Sequence, residues 1–231
     1  MKAFLLAAGL GTRLRPLTDS IPKCLLPVGG DPLLSVWIDL LAGVGVNEVL
    51  VNTHHLHEQV EAWARAQSKL KVVLSHEPEL LGSGGTVRAN RSFVGEDESF
   101  LIVYADMWVQ TDLRVLLDKH RTHNAPLTLG VYPVKFPRES GVLVLDERDV
   151  IVDFEEKPQT PKSSWANAGL MVARREFFSY LPDRPYSDLS LDVLPALVCI
   201  MVGCKMQGTF QDIGTPERYA EALAMSRWAT G

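Results

Sequence analysis

Two cationic side chains lie in a glycine-rich segment near the N-terminus. Arg13 comes shortly after Gly9 and Gly11, which follow an apolar run, and Lys23 comes later, behind Pro22. Glycines let main-chain N–H groups approach a ligand closely, and N–H groups in a tight turn form a concavity that suits phosphate. A guanidinium binds phosphate oxygens through paired hydrogen bonds, and an ammonium adds a point charge. The segment is therefore predicted to bind a phosphate-bearing ligand.

Two common phosphate-binding motifs do not account for this segment. The dinucleotide fingerprint needs a third glycine three residues after the second, and this chain has Leu14 there. A P-loop ends in Lys followed by Ser or Thr, whereas the lysine here arrives much later, behind Pro22. The pattern thus disfavours both a nicotinamide oxidoreductase and a P-loop enzyme.

Two aspartates are candidate metal ligands. Asp106 follows the buried apolar run 100–104, and Asp212 lies in the segment 210–217. Mg²⁺ typically takes one or two carboxylates and fills its other positions with water and substrate phosphate. Asp also commonly turns a chain after a strand, so a structural role for Asp106 stays open as an alternative.

Two further groups of residues offer contacts to a base and to a sugar. The glycine-rich segment Gly82–Thr86 precedes a helical pattern and lets backbone approach a flat ligand, with a flexible turn as the alternative. Glu156 and Lys157 follow a predicted hairpin, and Asn167 and Gly169 open the next strand. Carboxylate, ammonium and amide groups are the set needed to hold sugar hydroxyls and a phosphate.

A histidine cluster at His54, His55 and His57 suggests a metal site. The cluster follows a predicted strand at the start of a helix and lacks the i, i+4 pairing of a helical zinc site. A polar helix entry is the favoured interpretation.

Composition bounds the class of protein. The 231 residues are 46% hydrophobic and 22% charged, which suffices for a substantial globular core. A formal charge of −5 gives little support for nucleic-acid binding. The first apolar run is too short for a secretory signal, no run approaches the roughly 20 residues of a membrane span, and three irregularly spaced cysteines are predicted to be reduced thiols. We expect a cytoplasmic monomer or small homo-oligomer that binds neither nucleic acid nor membrane.

Apolar runs of strand length alternate with segments of helical periodicity, which predicts an α/β fold with parallel strands and crossover helices. The predicted strands are 3–8, 48–52, 70–75, 100–104, 127–132, 141–145, 150–154 and 168–173, and the predicted helices are 33–42, 56–66, 112–120, 189–198 and 215–225. Segments 141–145 and 150–154 flank a charged turn and predict a hairpin insertion. Because such sheets bind ligands outside the carboxyl ends of their strands, we expect the glycine loop and Asp106 at one edge.

Taken in order, these motifs resemble the sugar-1-phosphate nucleotidyltransferase family from end to end. The matching motifs are the glycine loop with Arg13 and Pro22-Lys23, the Gly82 turn, Asp106, Glu156-Lys157-Pro158, Asn167-Ala168-Gly169 and Asp212-Ile213-Gly214-Thr215-Pro216-Glu217. The resemblance implies a Rossmann-like, mostly parallel mixed sheet flanked by helices, as one domain over 1–231 with 1–125 mainly binding nucleotide and 126–231 mainly sugar phosphate. It also implies a Mg²⁺-dependent reaction in which a sugar 1-phosphate and an NTP give an NDP-sugar and pyrophosphate.

The resemblance implies a role for each matching residue. Arg13 and Lys23 would hold the triphosphate and the transition state, and Asp106 and Asp212 would bind Mg²⁺. The remaining implied contacts are to the nucleotide by Leu6, Ala7, Ala8, Gly9, Gly11, Thr12, Gly82 and Ser83, to the sugar phosphate by Lys157, and to the sugar by Glu156, Asn167 and Gly169.

The chain departs from the family pattern at two positions. Ala105 stands where the family usually has Gly before the metal Asp, and Cys24 stands where Pro is common. Because the chain ends soon after the predicted 215–225 helix, a short form without a C-terminal β-helix is expected. The Ala105 departure keeps open a catalytically silent, NDP-sugar-binding regulatory subunit.

Substrate choice leaves little trace in these motifs. Chain length and the His54 and Gly82 segments are most similar to guanylyltransferases that act on heptose or mannose 1-phosphate, which favours GTP and a role in cell-envelope polysaccharide synthesis. UTP or dTTP with an amino-sugar or hexose 1-phosphate is the alternative.

Overall fold

The computed structural model describes residues 1–228 as an α/β protein. Its strands are β1 (Lys2–Leu6), β2 (Pro27–Val28), β3 (Asp31–Pro32), β4 (Glu48–Thr53), β5 (Lys71–His76), β6 (Ser99–Tyr104), β7 (Met107–Gln110), β8 (Leu127–Pro133), β9 (Gly141–Leu145), β10 (Ile151–Glu156), β11 (Trp165–Arg174), β12 (Val202–Lys205) and β13 (Thr209–Asp212). Its α-helices are α1 (Leu17–Ser20), α2 (Leu33–Gly43), α3 (His57–Arg65), α4 (Gly82–Ala89), α5 (Leu113–Arg121) and α6 (Pro216–Trp228). Within residues 1–228, no helix is both long and apolar enough to cross a bilayer.

The described chain divides into two compact units. Unit 1 comprises Met1–Leu80, Tyr104–Gln110 and the residues from Gly208 onward, and unit 2 comprises Leu81–Val103 and Thr111–Gln207. The predicted division of substrate binding between residues 1–125 and 126–231 stays a prediction.

Unit 1 is built on parallel strands. β1 pairs with β4, and β4 pairs with β5, in register at Phe4, Leu50 and Val73. The fully buried α2 residue Trp37 donates its indole N–H to the main-chain oxygen of Met107 at 3.0 Å. Strands β1 and β4 and helix α2 contribute buried apolar side chains to the core of unit 1, and the loops of interest follow the carboxyl ends of these strands.

Unit 2 contains the mixed part of the sheet. β11 pairs antiparallel with β6, β8 and β9, β10 pairs antiparallel with β9, and β12 pairs parallel with β8. The β9–β10 pair is the predicted hairpin. The core of unit 2 includes Phe100 and Phe177, whose rings meet edge to face.

Most predicted elements are confirmed with ends shifted by at most three residues, but the predicted helix at 189–198 is wrong in type. A π-turn at Leu189–Val193 is followed by a 3-10 turn at Leu194–Leu197. Asp188 caps the π-turn by accepting from the main-chain N–H groups of Ser190 and Leu191. Pro195 lacks an N–H, so a regular α-helical ladder is interrupted there.

Candidate active site

The glycine loop begins where β1 ends. The N–H of Ala7 donates to Oδ1 of Asn52 at 2.6 Å, which fixes the chain as it leaves the strand. Gly11 has a φ of +63°, in the left-handed region that favours glycine, and its carbonyl accepts from the N–H of Leu14 and from the hydroxyl of Thr18, each at 2.8 Å. The loop is therefore a folded turn with defined hydrogen bonds.

Lys23 and Asp106 form an ion pair. The Nζ of Lys23 lies 2.7 Å from Oδ2 of Asp106, and the lysine side chain is 9% exposed whereas the aspartate is 48% exposed. Asp106 lies in the turn between β6 and β7, where the N–H of Ala105 donates to the main-chain oxygen of Leu6 at 3.1 Å. The buried ammonium thus faces an accessible carboxylate beside the end of β1.

Asp212 comes close to Asp106 through main-chain pairing. It ends β13 opposite Met107 of β7, and the N–H of Ile213 donates to the main-chain oxygen of Asp106 at 3.2 Å. A Cβ at Gly214 would lie 2.8 Å from Oδ1 of Asp212 and 3.0 Å from Nη2 of Arg13, so both side chains border this glycine. Unit 1 therefore brings the four predicted charged residues Arg13, Lys23, Asp106 and Asp212 to one place.

The two aspartates suit a divalent cation that shares substrate oxygens. Among the described residues, no group of three or more His, Cys, Asp and Glu side chains could hold a metal ion. Asp106 and Asp212 come from adjoining turns and offer hard carboxylate oxygens, which fits a Mg²⁺ site completed by phosphate and water.

Both departures from the family pattern are accommodated. Ala105 is fully buried and lies between the hydrogen bond to Leu6 and the intact Lys23–Asp106 pair. Cys24 lies in a 3-10 turn at Lys23–Leu25, where burial raises the pKa of its thiol to about 12. The methyl group at position 105 therefore points into the core and leaves the carboxylate of Asp106 accessible.

Residues that the sequence reasoning missed hold the site together. Arg218, in the first turns of α6, donates to Oδ2 of Asp212. Asn52, which binds Ala7, also donates to Oε1 of the buried Glu77 at 2.9 Å. Asn52 could have been identified from the sequence, because a polar residue near the end of a buried strand is unusual. No feature of the sequence around Arg218 indicated its role.

The histidine cluster makes hydrogen bonds rather than a metal site. The Nδ1 of His54 lies 2.6 Å from the main-chain oxygen of Glu77, and the Nε2 of His55 lies 3.0 Å from that of Thr18. Because a carbonyl only accepts, each of these ring nitrogens carries the proton. His57 pairs with Glu61 at 3.0 Å.

The second glycine-rich segment is the first turn of α4 in unit 2, so the flexible-turn alternative is wrong. The N–H groups of Gly84 and Gly85 donate to the main-chain oxygen of Ser187 at 2.9 and 3.1 Å, and the hydroxyl of Ser83 donates to Asp188 at 3.0 Å. A Cβ at Gly82 would lie 2.4 Å from the same Ser187 oxygen. These glycines permit close backbone packing, and base contact by Gly82 and Ser83 stays a prediction.

The predicted sugar-binding residues of unit 2 flank the start of β9. Gly141 pairs with Glu156 of β10, and the next residue of β9 pairs with Ala166, directly before Asn167. Burial raises the pKa of the Glu156 carboxyl, and the Nζ of Lys157 lies 4.0 Å from Oε1 of Glu156.

A turn at the bulge in β11 orients the other two predicted sugar contacts. The N–H of Gly169, whose φ is +68°, donates to Oδ1 of Asn167 at 2.8 Å. The bulge lies where the register of β11 with β8 shifts between Asn167 and Met171. The asparagine NH₂ group remains available as a donor.

Comparisons with known proteins identify the family. The model of the family described as nucleotidyl transferase matches residues 2–227. Mannose-1-phosphate guanylyltransferase of Mycobacterium tuberculosis is 33% identical over 228 residues, covering 96% of this chain and 63% of that protein. UTP–glucose-1-phosphate uridylyltransferase of a Synechocystis species is 30% identical over 242 residues, covering 96% and 62%. This chain thus spans somewhat less than two thirds of the length of these relatives.

A solved structure shows the same fold. That of a putative glucose-1-phosphate thymidylyltransferase from Bacillus anthracis superposes with a TM-score of 0.88 at 24% identity, covering 98% of this chain and 95% of that one. The family model covers nearly the whole chain. The chain therefore belongs to the nucleotidyl transferase family.

Proposed function

We propose that the protein transfers a nucleotidyl group from an NTP to a sugar 1-phosphate and releases pyrophosphate. An oxygen of the sugar phosphate attacks the α-phosphorus, a new P–O bond forms, and the bond from the α-phosphorus to the bridging oxygen breaks in line. The observation that carries the proposal is the convergence of four charged residues within unit 1: Lys23 pairs with Asp106, the main chain next to Asp212 bonds to Asp106, and Asp212 and Arg13 both border Gly214.

The chain's own residues contribute positioning and charge. Main-chain N–H groups of the glycine loop and the guanidinium of Arg13 bind the triphosphate, and the buried ammonium of Lys23 stabilises the negative charge that grows on the reacting phosphates. Asp106 and Asp212 would hold Mg²⁺, which supplies further positive charge to the phosphate oxygens.

No general base is required for the attack. A phosphate monoester has a second pKa near 6 and carries close to two negative charges at pH 7, so its oxygen is already a nucleophile. Lys157 binds the sugar phosphate in this proposal, and Glu156 and Asn167 bind sugar hydroxyls. The raised pKa of Glu156, caused mainly by burial, suits a carboxyl group that hydrogen-bonds to hydroxyls.

The favoured substrates are GTP with heptose or mannose 1-phosphate. The name of the mycobacterial relative supports guanylyl transfer to mannose 1-phosphate, and the name of the Synechocystis relative supports the alternative of UTP with a hexose 1-phosphate. We place the reaction in the cytoplasm, where it would supply activated sugars for cell-envelope polysaccharide.

A matrix of sugar 1-phosphates against four NTPs with Mg²⁺, read out as pyrophosphate release, tests the proposal. We expect one pair to dominate, and we expect Asp106→Asn to lower its turnover by about 100-fold or more because a charge opposite Lys23 is lost. Asp118→Asn, which removes an exposed surface charge paired with Arg121, is the matched control and leaves turnover unchanged.

Silence across the matrix together with calorimetric binding of an NDP-sugar would overturn the enzyme assignment in favour of a regulatory subunit. The intact Lys23–Asp106 pair beside the buried Ala105 methyl favours the enzyme.

A further inference from the structure

Most cationic side chains of this protein are paired with carboxylates. The exceptions are few, and in the described part of the chain they are Arg13, Arg91, Lys135, Arg138, Arg148 and Arg174. Arg174 instead donates to the main-chain oxygens of His120 and His123, and Arg13 has a proposed role at phosphate. Lys135 and Arg138 are both exposed, have no carboxylate partner among the described residues and line the same cleft, so both are available to an anionic ligand.

These two cations border a cleft in unit 2. The cleft has a volume of about 460 Å³, within the range of roughly 300 to 1,000 Å³ that is common for small-molecule sites. Its lining includes Lys135, Phe136, Pro137, Arg138 and Pro161. Phe136 is 70% exposed, which leaves a large aromatic face in water beside two proline rings. Such a combination offers an apolar surface and positive charge to the same ligand.

Hydrogen bonds fix the two segments that form the cleft. The N–H of Val134 donates to the main-chain oxygen of Ser164 at 2.8 Å and ties one segment to the other. The hydroxyl of Ser163 donates to the main-chain oxygen of Leu143 and accepts from the N–H of Trp165. A preformed site loses less conformational entropy on binding, which favours affinity for a small ligand.

The charge of the lining favours an anion. The residues that line the cleft include three cations, Lys135, Arg138 and Lys162, and one carboxylate, that of Glu139. Lys162 is already paired with Asp153, whose Oδ2 lies 2.5 Å from its Nζ. The two unpaired cations therefore set the local potential, and a guanidinium can bind phosphate oxygens bidentately.

We propose that this cleft is a second ligand site, which binds a small phosphate ester of a ring compound. The phosphate would contact Lys135 and Arg138, and the ring would pack on Phe136 and the prolines. Nucleoside monophosphates and sugar phosphates share this chemistry and differ in whether the ring is aromatic. The cleft has no lining residue in common with Glu156, Lys157, Asn167 and Gly169 or with the glycine loop.

Amide chemical shifts in the full-length protein test the proposal. Nucleoside monophosphates, sugar 1-phosphates and inorganic phosphate are titrated separately while the amides of Phe136, Ser163 and Ser164 are followed. We expect saturable shifts with the phosphate esters. We expect Lys135→Gln combined with Arg138→Gln to weaken binding of the monophosphate by about tenfold or more, because both charge-assisted contacts to the phosphate are lost. Phe136→Ala would weaken the aromatic ligand more than inorganic phosphate.

Arg148→Gln is the matched control, because Arg148 is also an unpaired cation of unit 2 and lies outside the cleft lining. Equal weakening by this variant would show non-specific charge attraction and overturn the proposal. The proposal would also be overturned if the cleft amides did not shift at millimolar ligand. Shifts that depend on protein concentration alone would likewise overturn it, because they would mean that a second copy of the protein covers the cleft. The titration is repeated with Arg13→Ala, which weakens phosphate binding at the glycine loop. The shifts of the cleft amides should persist in this variant, and because they report binding, the test does not depend on turnover.

Discussion

Asp212 is restrained at both of its carboxylate oxygens. Oδ1 accepts from the N–H of Gly214 at 2.5 Å, and Oδ2 accepts from the guanidinium of Arg218. Both Asp212 and Arg218 are less than one-third exposed, so this pair is only partly screened by solvent. Arg218 is therefore a positioning residue that fixes the direction in which Asp212 presents its remaining lone pairs.

Replacing Arg218 by Met tests this role. We expect the kcat for pyrophosphate release to fall by about tenfold or more, since Asp212 gains rotational freedom and loses a charge-assisted hydrogen bond. The KM for sugar 1-phosphate stays close to that of the wild type, and Arg218→Lys recovers part of kcat because it restores the charge without the planar fork. Steady-state kinetics measure both quantities.

Arg121→Met is the matched control, because Arg121 pairs with Asp118 on the exposed surface of α5. A kcat for Arg218→Met within twofold of this control would show that Gly214 alone orients Asp212.

The residues that do chemistry could be predicted from the sequence more readily than those that position them. Arg13 and Asp106 stand out because a charged residue follows an apolar strand or a glycine turn. Glu77 and Arg218 do not, because their function depends on contacts with Asn52 and Asp212 that only the folded chain establishes. Hydrogen-bond partners distant in sequence leave no local pattern.

At the scale of elements, the glycine loop is held by the turn that precedes α3 and by the first turn of α3. His55 donates to the main-chain oxygen of Thr18 at 3.0 Å, and the hydroxyl of Thr18 donates to that of Gly11 at 2.8 Å. Gln59 donates to the main-chain oxygen of Ser20 at 2.8 Å. The segment after β4 thus fixes the position of the loop that is proposed to bind phosphate.

Removing the donor at His55 should loosen the loop without unfolding the protein. His55→Phe keeps a ring but leaves the Thr18 carbonyl without its partner, and we expect the Kd for NTP to rise about threefold to tenfold, in keeping with one lost hydrogen bond. Fluorescence titration with a labelled nucleotide measures this affinity. His57→Phe, which alters a neighbouring histidine on α3, leaves the Kd unchanged; equal effects of the two variants would refute the positioning role.

The two glycines of the loop provide a second test at this scale. A Cβ at Gly11 would lie 2.8 Å from the Cγ2 of the buried Thr18, and the φ of +63° strains any side chain there. Nothing lies within 4 Å of a Cβ at Gly9. We expect Gly11→Ala to lower the free energy of unfolding by about 1 to 3 kcal/mol and Gly9→Ala to leave it within about 0.5 kcal/mol. Urea denaturation compares them, and equal losses would contradict the assignment of strain to Gly11.

Short elements were harder to predict than long ones. β7, β12 and β13 have four residues each, too few for alternation to stand out, yet β7 and β13 bring Asp106 next to Asp212. The 189–198 segment has the apolar spacing of a helix, but Pro195 removes an N–H that an α-helix needs. The structure of these segments depends on strand pairing between distant parts of the chain and on a missing N–H donor. Neither produces a periodic pattern in the sequence.

At the scale of the whole molecule, the α/β class follows from alternating strand and helix patterns, whereas strand direction does not. β11 runs antiparallel to β6, β8 and β9, and its apolar run reads like that of a parallel strand because it is buried. Burial governs the apolar content of a strand regardless of the direction of its neighbours.

Burial of a histidine pair in unit 2 also makes the stability of the folded state depend on pH. His120 is 3% exposed, with Nδ1 2.7 Å from Oγ1 of Thr128 and Nε2 3.2 Å from Oγ of Ser99. Burial, followed by the positive charges of Arg174 and His123, lowers the pKa of His120 to about 4. Burial likewise lowers the pKa of His123. The folded state therefore keeps His120 neutral at pH values where the unfolded chain takes up a proton.

The free energy of unfolding should accordingly fall as the pH is lowered. The ordinary pKa of a histidine is 6.5, so the stabilising contribution of a neutral His120 is complete above that pH, declines as the pH drops towards 4, and levels off below it. We expect a loss of about 1 kcal/mol between pH 6.5 and 5.5 in urea denaturation. His120→Asn flattens this slope whatever its effect on absolute stability, while the exposed His76→Asn retains it. An unchanged slope in His120→Asn would mean that other groups take up the protons on unfolding, since a neutral amide cannot titrate in this range.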